Sequence, residues 1–166
     1  MTISMYNTSV PIFKQMLSAL SVILLKTEEN SGTKPETLLH ARLFPDMFDF
    51  TRQVQIATDF AKGVTARLAG QEVPAYEDNE TTFDELQARI AKTLQFISSI
   101  SPEEINGSEN RMIITRPGTP KEKKFNGESY LLHYGLPQFF FHITTAYAIL
   151  RNNGIEIGKR DYMGDF

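Results

Sequence analysis

The sequence predicts an all-α fold, a four-helix bundle with a small β-hairpin inserted before the last long helix. Three observations predict it. Four long segments repeat apolar side chains at spacings of three and four, the period of a single helix face. Cap and turn residues stand where those segments should begin and end. One stretch, Arg111 to Phe125, changes to strand chemistry around a Pro-Gly turn.

The first helix opens with Ser9 as N-cap and Pro11 in the first turn, where a missing N–H costs nothing. Phe13, Leu17, Leu20 and Leu24 form its stripe, and Asn30-Ser31-Gly32 ends it. A short helical turn follows at Pro35 to His40, before Phe44-Pro45-Asp46 redirects the chain. In the second helix Phe50, Val54, Ala57, Ala61, Val64 and Leu68 make one inward seam, and its two alanines let a neighbouring backbone approach closely. Gly70 is its C-cap, with Pro74 shortly beyond.

Thr82-Phe83-Asp84-Glu85 is a capping box, so the third helix starts there and carries Phe83, Leu86, Ile90, Leu94 and Ile97 on one stripe. Ser101-Pro102-Glu103-Glu104 starts a brief turn of helix by the same logic. Met112-Ile113-Ile114-Thr115 and Lys123-Lys124-Phe125 then pair across Pro117-Gly118-Thr119-Pro120 as a hairpin leaning on the helices.

The fourth helical region runs from Gly127-Glu128-Ser129 to Asn153, with Pro137 inside it and Gly135 two residues earlier. Such a proline removes one backbone bond and clashes with the preceding turn, which predicts a kink or short break. The tail docks through Ile155, Ile157, Tyr162 and Phe166. The long third connection argues against a simple up-down meander.

A chain of 166 residues fits one domain, residues 1–166, and has no cysteine, which removes disulfides, thiolate metal sites and cysteine nucleophiles. Its beginning lacks the features of a secretory signal, and Lys14 and Lys26 interrupt the best apolar run. The expectation is a cytoplasmic protein without a membrane span. Seventeen basic and twenty acidic side chains give a charge of −3, which disfavours a nucleic-acid partner. Lys121, Lys123 and Lys124, with Glu122 among them, read as a solvated turn.

Nucleotide-binding glycine loops and serine-hydrolase elbows are absent from the sequence. The three histidines are His40, His133 and His142. His40 reads as a surface or cap residue. Gln138, His142 and Thr145 make a polar stripe on an otherwise apolar helix, and Gln55 and Asp59 make a similar pair on the second helix. Facing stripes of this kind build metal or cofactor sites in bundle cores. They also build hydrogen-bonded networks that only fix helix register. With Tyr134, these residues define a candidate ligand pocket of Gln55, Asp59, Gln138, His142 and Tyr134, in which His142 and Asp59 are the candidate metal ligands.

Several segments resemble a bacterial family known as a domain of unknown function, number nineteen ninety-three. They are Met5-Tyr6 with Ser9-Val10-Pro11-Ile12-Phe13, Ala41-Arg42-Leu43-Phe44-Pro45-Asp46-Met47-Phe48, and Arg52-Gln53-Val54-Gln55-Ile56-Ala57 with Phe60-Ala61-Lys62-Gly63. The longest runs from Tyr130-Leu131-Leu132-His133 through Leu136-Pro137, Phe141-His142 and Thr144-Thr145-Ala146-Tyr147-Ala148-Ile149-Leu150-Arg151 to Gly158-Lys159-Arg160-Asp161.

The resemblance extends to the DinB/YfiT-like superfamily, whose members are four-helix bundles and often dimers. Many hold a divalent metal with three histidines, one on the second helix and a His-x-x-x-His pair on the last. Some act as metal-dependent transferases on small thiols. Aligned on Leu150-Arg151-Asn152-Asn153-Gly154, His142 takes the second histidine of that pair, Gln138 the first, and Gln55 or Asp59 the second-helix position.

Two functions follow as expectations. One is a non-catalytic or degenerate-site protein, a homodimer with a small-molecule pocket near His142. The other is a divergent transferase or hydrolase using zinc, nickel or manganese, with His142 and Asp59 as ligands and Gln55 and Gln138 as auxiliary ones.

Overall fold

The structure, a computed structural model, describes residues 3–29 and 34–165. The proposed helix end at Asn30-Ser31-Gly32 and the docking of Phe166 lie outside them.

Helix α1 spans Val10–Glu29, and a short α2 spans Pro35–Leu39. Ser9 directly precedes α1, but its hydroxyl donates back to the Met5 carbonyl at 2.6 Å instead of capping the helix N–H groups. Helix α3, Phe50–Ala69, carries the predicted seam, and all six of its residues are fully buried. Asp49, not foreseen as a cap, accepts from the Arg52 N–H, and Gly70 ends α3 at φ 71°, a left-handed conformation natural to glycine.

Helix α4 spans Phe83–Ser98. Its capping box is formed: Thr82 Oγ1 accepts from the Glu85 N–H at 3.2 Å, and Glu85 accepts from the Thr82 N–H at 3.1 Å. The single turn α5, Pro102–Ile105, leads to strands β1, Ile113–Thr115, and β2, Lys123–Phe125, which pair antiparallel with Ile113 opposite Phe125.

The last helical region is continuous but not uniform. A turn of α-helix, α6 at Gly127–Ser129, passes into a π-helical segment at Tyr130–Gly135 and then into α7 at Leu136–Asn152. Pro137 sits in the first turn of α7, so the break predicted for it takes the form of the π-helical segment ahead of it. The tail docks as α8, Lys159–Met163, with Ile155 and Ile157 buried and Tyr162 packed edge-on against Tyr147.

Pairwise contacts fix the helix directions. Phe50 stacks on Phe83, and Thr58 meets Arg89, so α3 and α4 run parallel. Ser21 bonds Gln87 and Glu28 lies by Asp84, so α1 opposes α4. Gln53 meets His142 while Arg67 meets Tyr130, so α7 opposes α3. The bundle is therefore up-down-down-up, and the linker 70–82 must run back along it.

By length and composition α1 is apolar enough to cross a membrane, against the sequence expectation. Half of that stretch is buried inside the bundle, where Phe13 meets Phe139 edge to face at 4.8 Å.

Candidate functional site

A cleft of about 840 Å³ opens between α3, the π-helical segment, α7 and the hairpin. His142, which is 7% exposed, lines it. The partner of His142 is Gln53 on α3, whose Oε1 lies 2.7 Å from the ring Nδ1. The Gln53 amide nitrogen donates to the Phe48 carbonyl at 3.1 Å, which orients its oxygen toward the histidine. An amide oxygen can only accept, so the imidazole carries its proton on Nδ1 and presents a bare Nε2.

Among the described residues Nε2 has no partner, and it is not one of the atoms sealed from solvent. Burial, and then the nearby Arg52 charge, lower the His142 pKa from the ordinary 6.5 to about 4, so the ring is a neutral acceptor at neutral pH. Phe60 stacks parallel to it at 6.1 Å and Phe141 meets it edge-on at 5.2 Å.

The structure brings Asp59, Tyr134, Gln138 and His142 to one cleft. Gln55 lies elsewhere: it accepts from Arg52 at 3.0 Å and donates to Glu80 at 2.8 Å, facing the linker 70–82. Thr145 does not reach the cleft either, because its hydroxyl bonds back to the Phe141 carbonyl at 2.7 Å. Asp59 borders the cleft, but its Oδ1 already accepts from Arg89 at 2.8 Å and Lys62 at 2.9 Å.

This donor set does not fit a divalent metal. Among the described residues no three histidine, aspartate or glutamate side chains gather to hold one. The cleft offers one imidazole, amides that are weak ligands, and a carboxylate engaged by two cations. Arg52, Arg67, Arg116, Lys121 and Lys123 add five positive charges to the same walls.

Those cations, and Gln53, are the residues of the candidate site that sequence reasoning missed. Gln53 was detectable, since it is three residues from Phe50 and four from Ala57, a polar side chain on the apolar seam. Lys121 in the turn and Lys123 at the start of β2 are both exposed, yet they also line the cleft.

A family model described as "Domain of unknown function (DUF1993)" matches residues 5–163. The chain belongs to that family. A solved chain described as a DinB family member protein from Shewanella denitrificans is 39% identical, with a TM-score of 0.90 over 97% of this chain and 92% of that one. No curated protein matches the chain. The DinB-like bundle fold expected from the sequence is thereby established.

Proposed function

We propose that this DUF1993 bundle is a non-catalytic binding protein that holds a small molecule in the cleft floored by His142. One observation carries the reading. The single histidine is oriented by an amide, Gln53, and is kept neutral with Nε2 open to the cleft. A zinc-bound histidine characteristically has further imidazole, thiolate or carboxylate ligands beside it. Here the surroundings are aromatic rings and cations, which suit a ligand that accepts or donates hydrogen bonds and stacks.

The test combines metal and ligand. Zinc, nickel and manganese titrated into the purified protein should each give no stoichiometric heat and no rise in melting temperature. A fragment library screened by ligand-observed NMR should give hits that His142→Leu and Phe60→Asp remove. Submicromolar metal binding that depends on His142 would replace this reading with the metal-enzyme one.

A further inference from the structure

The walls of the cleft are not neutral. Four of its cations, Arg67, Arg116, Lys121 and Lys123, have no carboxylate within ion-pair distance among the described residues. The fifth, Arg52, is shared with Asp78 outside the cleft. This concentration of positive charge occurs in a chain whose net charge is −3, so it does not reflect the general composition. Clefts lined by one sign of charge focus the potential and raise the local concentration of the opposite charge.

The cations are ordered along an aromatic floor. His142 stacks on Phe60, Phe60 meets Tyr134 at 5.9 Å, and Tyr134 stacks on Tyr130 at 5.9 Å. At the far end Arg67 donates to the Tyr130 hydroxyl at 3.0 Å, and Lys123 stands 5.3 Å above the Tyr134 ring. The floor thus runs from a bare histidine acceptor at one end to arginine and lysine donors at the other.

Arg116 stands apart in backbone conformation. It is the one non-glycine residue with positive φ, 51°, among the described residues. A long side chain in that region costs about 1 kcal/mol or more, where glycine or asparagine would sit easily. The strained position carries a cation that lines the cleft.

Resting on the small-molecule reading above, we infer that the ligand is a planar organic anion. Its ring system lies against Phe60 and Tyr134, and its carboxylate or phosphate meets Arg67, Arg116, Lys121 and Lys123. A hydroxyl or amine at the opposite end donates to His142 Nε2. A nucleic-acid strand does not suit the same cations, which line the wall of one concave cleft instead of a broad face.

Calorimetric titration of the full chain with 2-naphthoate, 2-naphthyl phosphate and neutral 2-naphthol tests this. At least one of the two anions should bind roughly tenfold tighter than 2-naphthol, with an affinity that falls as salt rises. The exposed triple variant Arg116→Asn, Lys121→Gln, Lys123→Gln should erase that preference without lowering the melting temperature. Equal binding of the neutral and anionic probes would overturn the anion assignment and leave the small-molecule pocket standing. Failure of all three probes to bind saturably would overturn both.

Discussion

His142 is the residue whose chemistry depends most on its surroundings. Its folded pKa of about 4 lies below the ordinary 6.5 of an exposed imidazole, so between those values the unfolded chain binds a proton that the folded chain refuses. Folding stability is therefore fully present above pH 6.5 and is lost as pH falls toward 4. The loss attributable to this one group is about 2–3 kcal/mol. Urea unfolding at several pH values, with His142→Gln as the comparison, should show wild type losing that much more than the variant over the interval. Parallel pH slopes in the two proteins would refute the assignment. Gln53 belongs to the same account, since its carbonyl fixes the tautomer that leaves Nε2 open. The sequence showed His142 as a polar interruption of an apolar helix, but it could not show which nitrogen would be free. That depends on a partner 89 positions away.

At the scale of elements, the periodic and capped helices were legible, because cap chemistry and a 3.6-residue period are local properties. The α3 seam and the α4 capping box appear in the structure where their residues placed them. The last helix was legible only as a break. Its close packing on neighbouring segments rests on two glycines. A methyl group at Gly135 would lie 2.6 Å from the Val64 side chain, and one at Gly127 would lie 2.0 Å from the Ser108 carbonyl oxygen. A valine side chain can turn away, whereas a backbone carbonyl held in a turn cannot. Gly127→Ala should thus destabilise the protein by about 3 kcal/mol and Gly135→Ala by less. Chemical denaturation of the two variants checks the order, and equal losses would show that the Ser108 turn yields.

At the scale of the whole molecule, the parallel pair α3 and α4 forces residues 70–82 to retrace the bundle without regular structure, and one side chain pins them. Arg89 is 3% exposed; it donates to Thr58 at 2.7 Å, to Glu80 at 2.9 Å and to the Glu77 carbonyl at 3.2 Å, besides its bond to Asp59. Tyr76 from the same linker lies beneath Lys62 at 3.5 Å and Lys92 at 4.3 Å. Removing one partner of a buried ion network leaves the others uncompensated, so Arg89→Met should cost about 3 kcal/mol. Arg89→Lys should recover little of it, because an ammonium cannot present the same planar fork of donors. Limited proteolysis between residues 70 and 82 should quicken in both variants, and an unchanged cleavage rate would mean that Arg89 is not the linker's anchor.

The sequence by itself determined which segments become helices, where most of them stop and which faces turn inward, since spacing, caps and prolines act within a few residues. It also pointed to the family and marked His142. Only the tertiary structure decided what surrounds that histidine. It turned Gln55 to the linker, engaged Asp59 with Arg89 and Lys62, and gathered Arg52, Arg67, Arg116, Lys121 and Lys123 from one helix and a hairpin onto one cleft. Charge at a site is a sum over residues distant in sequence, so no local pattern records it.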